Sequence, residues 1–170
     1  MTAERVHESL RDGARASEAW ANVRPIRTIL LATDLTPASR EATDRAIDLA
    51  GRLEARLLIV NVLEKRRLTG GGSHARVDQA RGERESLLVN VVRGARDAGV
   101  TAEFLVWEGD PGDSIASAAE AEHADLVVVG TRGRSGAERM LLGSVSDHVV
   151  RHAECPVLVV RPHKRDGDGA

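Results

Sequence analysis

The feature that most limits what this chain can become is an alternation of two hydrophobic periods. Short, largely apolar runs recur at 26–33 (IRTILLAT), 56–64 (RLLIVNVLE), 100–107 (VTAEFLVW), 124–130 (ADLVVVG) and 155–162 (CPVLVVRP). Between them, apolar residues return at helical spacing. Ala42, Ala46, Leu49, Ala50 and Leu53 form one stripe, and Leu88, Val91, Val92, Ala95 and Ala98 a second. Ile115, Ala118 and Ala119 form a third, and Val145, Val149 and Val150 a fourth. Each striped helix must bury its stripe, and each apolar strand must be covered. The order β-α-β-α-β-α-β-α-β therefore predicts an α/β fold, with a parallel sheet and helices on both faces.

Local signals punctuate the same elements. Thr36 and Pro37 are suited to N-cap and first helical position, as are Asp110 and Pro111. Gly99 is placed to end the second helix. Residues 64–78 (EKRRLTGGGSHARVD) read as a long connection around Gly70–Gly72, a flexible link with a nucleotide lid as the lesser reading. The third strand alternates: Val100, Ala102, Phe104 and Val106 face one way, Thr101, Glu103, Leu105 and Trp107 the other. A half-polar strand suits a sheet edge. With right-handed crossovers, the expected architecture is a five-stranded open sheet of Rossmann-like type, order 3-2-1-4-5. The winding direction then reverses between strands one and four, and ligands of such sheets bind beyond the strand ends at that reversal. Asp34 and Gly130 stand there.

After the fourth strand comes GTRGRSGAERMLLGS, with Gly130, Gly133, Gly143 and Ser144 at G-x2-G-x9-G-S spacing. A helix N-terminus offers unpaired N–H groups and partial positive charge, and glycine lets a ligand approach the backbone. Together they make an anion site, most often for phosphate. The Ser144 hydroxyl either donates to a phosphate or caps the helix, and Arg132, Arg134 and Arg139 offer charge. Neither the G-K-[ST] of a P-loop nor the dinucleotide G-x-G-x-x-G is present. Asp34 has two readings of equal weight, a ligand contact or an Asx-turn leading into Thr36 and Pro37.

This spacing after an apolar strand resembles the nucleotide-binding motif of the universal stress protein family. The resemblance spans about Ile26 to Pro162 and includes ILLATDLTPASREA, GDPGDSIASAAEAEHADLVVVG and CPVLVVRP. With the motif intact, it implies the ATP-binding branch, with Mg²⁺ bridging the phosphates and a homodimer formed through the C-terminal strand, 156–162. Position by position, it implies that Asp34 faces the adenosine, Val62 packs the adenine and Gly130 adjoins the ribose. Gly133, Gly143, Ser144 and the Val145 amide resemble the phosphate cradle, with Ser135 beside them. Ala32 belongs to the same group and stands where some members have proline; Asn61 stands where many have histidine, a change that the resemblance implies alters the adenine pocket without abolishing it.

Composition narrows the alternatives. The chain has 24 basic and 26 acidic residues, and its aromatics are Trp20, Phe104 and Trp107. Neither an electrostatic footprint for nucleic acid nor a set of base-stacking platforms is available. No run approaches the ~18 apolar residues of a membrane span. Cys155 is the sole cysteine, which excludes an intrachain disulfide and fits the cytoplasm. His148 and His152 are four apart on one expected helix with no third ligand, which favours a surface or interface role over a metal. The expected organisation is a polar extension, 1–24, one domain, 25–162, and a polar tail, 163–170. The leading functional expectation is a cytoplasmic, ATP-binding, nucleotide-dependent stress regulator or binding module. The alternatives are a slow ATPase or nucleotidyl-transfer enzyme, and a dimeric scaffold without nucleotide.

Overall fold

The computed structural model describes residues 24–64, 73–131 and 142–162, with the side chains of 73–75 excepted. Five strands, β1 (Thr28–Ala32), β2 (Arg56–Leu63), β3 (Ala102–Glu108), β4 (Leu126–Gly130) and β5 (Val157–Val160), form one sheet. All its pairings are parallel and its order is β3-β2-β1-β4-β5, the order expected from the alternating third strand. Four helices connect the strands: α1 (Arg40–Leu53), α2 (Ser73–Asp97), α3 (Pro111–Ala121) and α4 (Ser144–His152).

The sheet's two faces carry two cores. On one, Ile29, Leu31, Leu57 and Ile59 meet Ala42, Ala46 and Ala50 of α1 and Leu88, Val92 and Ala95 of α2. On the other, Leu30, Leu58, Val60 and Val127 meet Ile115, Ala118 and Ala119 of α3 and Val149 of α4. Successive strand residues alternate between these cores because side chains alternate across a pleated sheet. The central strands β1, β2 and β4 are buried on both faces, which accounts for their unbroken apolar sequences. Edge strand β3 is only partly covered past Ala102.

Some details depart from the sequence reading. The second helix starts at Ser73, inside the segment read as a connection. Its packed residues are nevertheless confined to the C-terminal half, and Arg81 tethers the other half by donating to the Val106 carbonyl at 3.3 Å. Leu53 and Val150, assigned to apolar stripes, are 45% and 47% exposed. Leu53 is the last residue of α1, and Val150 lies about 100° round the helix from buried Val149. Gly99 ends α2 with φ +82° as anticipated. Thr36 makes no side-chain cap, and Pro37–Ser39 forms a 3-10 turn before α1. Among the described residues no helix is long and apolar enough to cross a membrane. The extension at 1–23, the Gly70–Gly72 link and the tail at 163–170 lie outside the described residues.

Candidate functional site

A cavity of about 470 Å³ opens beyond the carboxyl ends of β1, β2 and β4, at the reversal of winding. Its walls include Ala32 and Asp34 after β1, Val62 on β2 and Gly130 at the end of β4. Gly143, Ser144 and Val145, at the start of α4, complete the group. Seven residues singled out in the sequence therefore share one cavity. Gly133 and Ser135, with the arginines 132, 134 and 139, lie outside the described residues.

The turn after β1 is held by its own side chains. Asp34 Oδ1 accepts from the Thr36 amide at 3.1 Å and the Thr36 hydroxyl at 2.7 Å, the Asx-turn arrangement. Thr33 Oγ1 accepts from the Leu35 amide and lies 2.9 Å from Ser39 Oγ, which donates to the Thr36 carbonyl. Leu35 has φ +62°, a conformation leucine rarely adopts. Its packing against the α1/α2 core helps hold that conformation. Asp34 Oδ2, by contrast, is buried and has no hydrogen-bond partner. The turn thus uses one carboxylate oxygen and leaves the other uncompensated, and an unpaired buried acceptor is costly.

The start of α4 is built differently. Its N-cap is Gly143, with no side-chain cap, and Ser144 is the first helical residue, exposed to the cavity. The alternative in which Ser144 merely caps the helix is therefore excluded. Gly143 donates to the Thr131 carbonyl at 2.9 Å, which ties the start of α4 to the end of β4 at a narrow neck. A Cβ at Gly143 would sit 2.8 Å from that same carbonyl oxygen. Glycine is needed there by the neck itself, before any ligand is considered.

The start of α3 forms the facing wall with Asp110, Pro111 and Gly112. Asp110 is its N-cap and accepts from the Gly112 amide at 3.0 Å. A Cβ at Gly112 would lie 2.7 Å from the His148 ring, so bare Gly112 lets α4 pack against α3. His148 also lines the cavity; its Nε2 lies 2.8 Å from Asp113 Oδ1 but out of hydrogen-bonding alignment, and its ring stacks on His152 at 4.0 Å. Stacked rings point their nitrogen lone pairs side by side, which is unsuited to chelating one ion. Cys155 packs against the α3/α4 core, and burial pushes its thiol above the usual range. That disfavours the reactive thiolate and suits a small hydrophobe.

Sequence reasoning passed over Thr33, Ser39, Gly112 and His148 as parts of this site. Asn61 was read from the family resemblance as a change in the adenine pocket, with no partner assigned to it. It is 1% exposed, lines the cavity and donates through Nδ2 to the Thr33 carbonyl at 2.7 Å. A lone amide in an otherwise apolar strand was the available signal.

Comparison with known proteins agrees with this architecture. Residues 25–161 match the Universal stress protein family. A universal stress protein of Methanocaldococcus jannaschii is 35% identical over 144 residues, covering 82% of this chain and 85% of that relative. Universal stress protein UspA from Lactobacillus plantarum superposes with a TM-score of 0.74 at 23% identity, over 82% of this chain and all of that one. A universal stress protein solved in complex with cAMP gives a TM-score of 0.64 at 28% identity, over 81% of this chain and 98% of that one.

Proposed function

The chain belongs to the universal stress protein family, and from that premise we propose that it is a cytoplasmic, ATP-binding stress-response regulator whose nucleotide sits in the β1/β4 crevice. The observation that carries this reading is the convergence of Ala32, Asp34, Val62, Gly130, Gly143, Ser144 and Val145 on one cavity. Its volume of about 470 Å³ falls in the range of small-molecule sites. The similar protein solved with cAMP supports an adenine nucleotide as the ligand.

In this reading the unpaired Asp34 Oδ2 takes a donor from the adenosine. Ala32 and Val62 pack the base, Gly130 lies by the ribose, and the uncapped start of α4 takes phosphate. Gly133 and Ser135 join that cradle on the strength of the motif. Among the described residues no three His, Cys, Asp or Glu side chains are grouped to hold a metal. This fits Mg²⁺ carried mainly by phosphates and water, its common mode in nucleotide sites. When bound, the ion neutralises phosphate charge. Calorimetry on nucleotide-stripped protein, with ATP, AMP and cyclic AMP and with and without Mg²⁺, tests the reading. Magnesium-dependent preference for ATP is expected; no binding of any of the three overturns it.

The homodimer is part of the same proposal. Strand β5 ends the sheet, and Val157–Val160 is only half-buried. Apolar edges are usually covered, and a second copy of β5 would cover this one. The Pro156 and Val160 carbonyls accept from Val127 and Thr131, toward β4. The intervening Val157 and Val159 therefore present their backbone groups to the free edge. Val159→Pro removes an edge donor without touching the β4 ladder. Sedimentation should show the variant dissociating at concentrations where the parent stays dimeric.

A further inference from the structure

The base end of the cavity holds a second orphaned acceptor besides Asp34. Strand β1 ends at Ala32, opposite Val60. Asn61 is the next residue on β2, so its carboxamide lies beyond the last paired position, in the notch where β1 turns away. Its Nδ2 donates to the Thr33 carbonyl at 2.7 Å. Reversing the amide would set oxygen against oxygen, so this bond fixes which atom is which. Oδ1 is then committed as an acceptor. It is buried, has no partner, and belongs to a residue lining the cavity.

We propose that Asn61 is a specificity residue whose Oδ1 accepts a hydrogen bond from the exocyclic amine of a 6-aminopurine and so disfavours 6-ketopurines. The proposal rests on the nucleotide reading above and deepens it. Asp34 Oδ2 and Asn61 Oδ1 are both acceptors in want of donors. An aminopurine presents N–H groups at its six position, whereas a ketopurine presents an oxygen that two acceptors repel. A site built to bond a polar group rejects the analogue that leaves its acceptors unpaired. The bond from Asn61 to the Thr33 carbonyl also anchors the chain next to Asp34, so both acceptors belong to one rigid constellation.

The test is the ratio of affinities for AMP and IMP, measured by calorimetry on the full chain. Thermal melting of each variant reports its folding. Asn61→Leu keeps the branched shape and the number of heavy atoms and removes the acceptor. It should weaken AMP about tenfold and, with a repelling acceptor gone, bind IMP no more weakly than the parent does. Asn61→Asp supplies the control for a merely structural role. Buried there, its carboxyl favours the protonated form, which can donate to the Thr33 carbonyl and keep a carbonyl oxygen for the amine. It should retain the parent's preference for AMP. If Asn61→Leu does not fold, Asn61→Ser, too short to reach the base, takes its place with the same expectation. An unchanged AMP/IMP ratio in the Leu or Ser variant, in protein that binds both, overturns the assignment and leaves Oδ1 to a buried water. If the parent binds neither nucleotide, the reading of the whole cavity falls, and this inference with it.

Discussion

Helices α3 and α4 lie side by side on the same face of the sheet, and both point their N-termini into the same cavity. The two ends are finished in opposite ways. The start of α3 carries its own anion: Asp110 accepts from the Gly112 amide and, at 3.5 Å, from that of Asp113. The start of α4 carries no capping carboxylate: its N-cap is a glycine, its first helical residue an exposed serine, and Asp147, the acid of its first turn, pairs with Arg151. Equal helix dipoles thus meet an internal carboxylate in one case and open space in the other. An N-terminus already capped by Asp has little left for a ligand, whereas an uncapped one beside a cavity retains its donors. The difference gives α3 a structural part in the wall and leaves the start of α4 open to the cavity, as the proposed phosphate site requires.

The strongest way to break this contrast is at Gly143. Alanine there meets the Thr131 carbonyl at 2.8 Å, so the neck must open. A cost of about 1–3 kcal/mol is expected, together with loss of ATP binding, read by urea melts and calorimetry. Gly143→Val is therefore not a clean probe of phosphate approach, because it strains the fold as well as the cradle.

Ser144→Asp sharpens the contrast by putting a carboxylate at the first helical position of α4, beside the cavity. Acid in the first turn should stabilise the helix by about 0.5 kcal/mol. It should also repel phosphate, weakening ATP about tenfold. Stability and affinity moving in opposite directions is the signature; affinity unchanged would remove α4 from the cradle.

Asp110→Ala is the reciprocal change. Losing an N-cap costs about 1 kcal/mol, and ATP affinity should stay within twofold or so. A binding loss as large as that of Ser144→Asp would mean that α3 contacts the ligand after all.

The smallest effect concerns a carboxylate that accepts backbone amides away from any helix end. Asp125 accepts from Arg27 N at 2.8 Å and Thr28 N at 3.0 Å, at the amino-terminal ends of the central strands β1 and β4, opposite the cavity. The Arg27 amide first, and the Thr28 amide with it, hold its carboxyl below the usual carboxylate range against a partial burial cost. Its contribution is present above the unfolded carboxylate range, near pH 4, and is lost as pH falls through the depressed folded value. Asp125→Asn should flatten the loss of stability as pH falls below about 4, by a few tenths to about 1 kcal/mol. Urea melts at pH 7 and pH 3 measure it.

Much of the fold was legible in the sequence because it rests on local periodicity. Alternating apolar and striped segments specify strands and helices, the half-polar third strand marks an edge, and the order β3-β2-β1-β4-β5 follows with right-handed crossovers. The place of the cavity was legible for the same reason, since topology alone locates the reversal. The glycine spacing also marked Gly143, but as a door for a ligand. The neighbour that requires glycine there is the carbonyl of Thr131, twelve residues earlier in the chain. Likewise Ser144 could be read as a cap or a contact until the helix start was fixed at Gly143. Asn61 could be tied to the adenine pocket by resemblance, but its partner could not be named, because that depends on β1 ending one position short of it. Spacing along a chain encodes which residues share a face. Which carbonyl a Cβ would strike, and which oxygen is left without a donor, is set by close packing between distant segments, and so only the tertiary structure decided them.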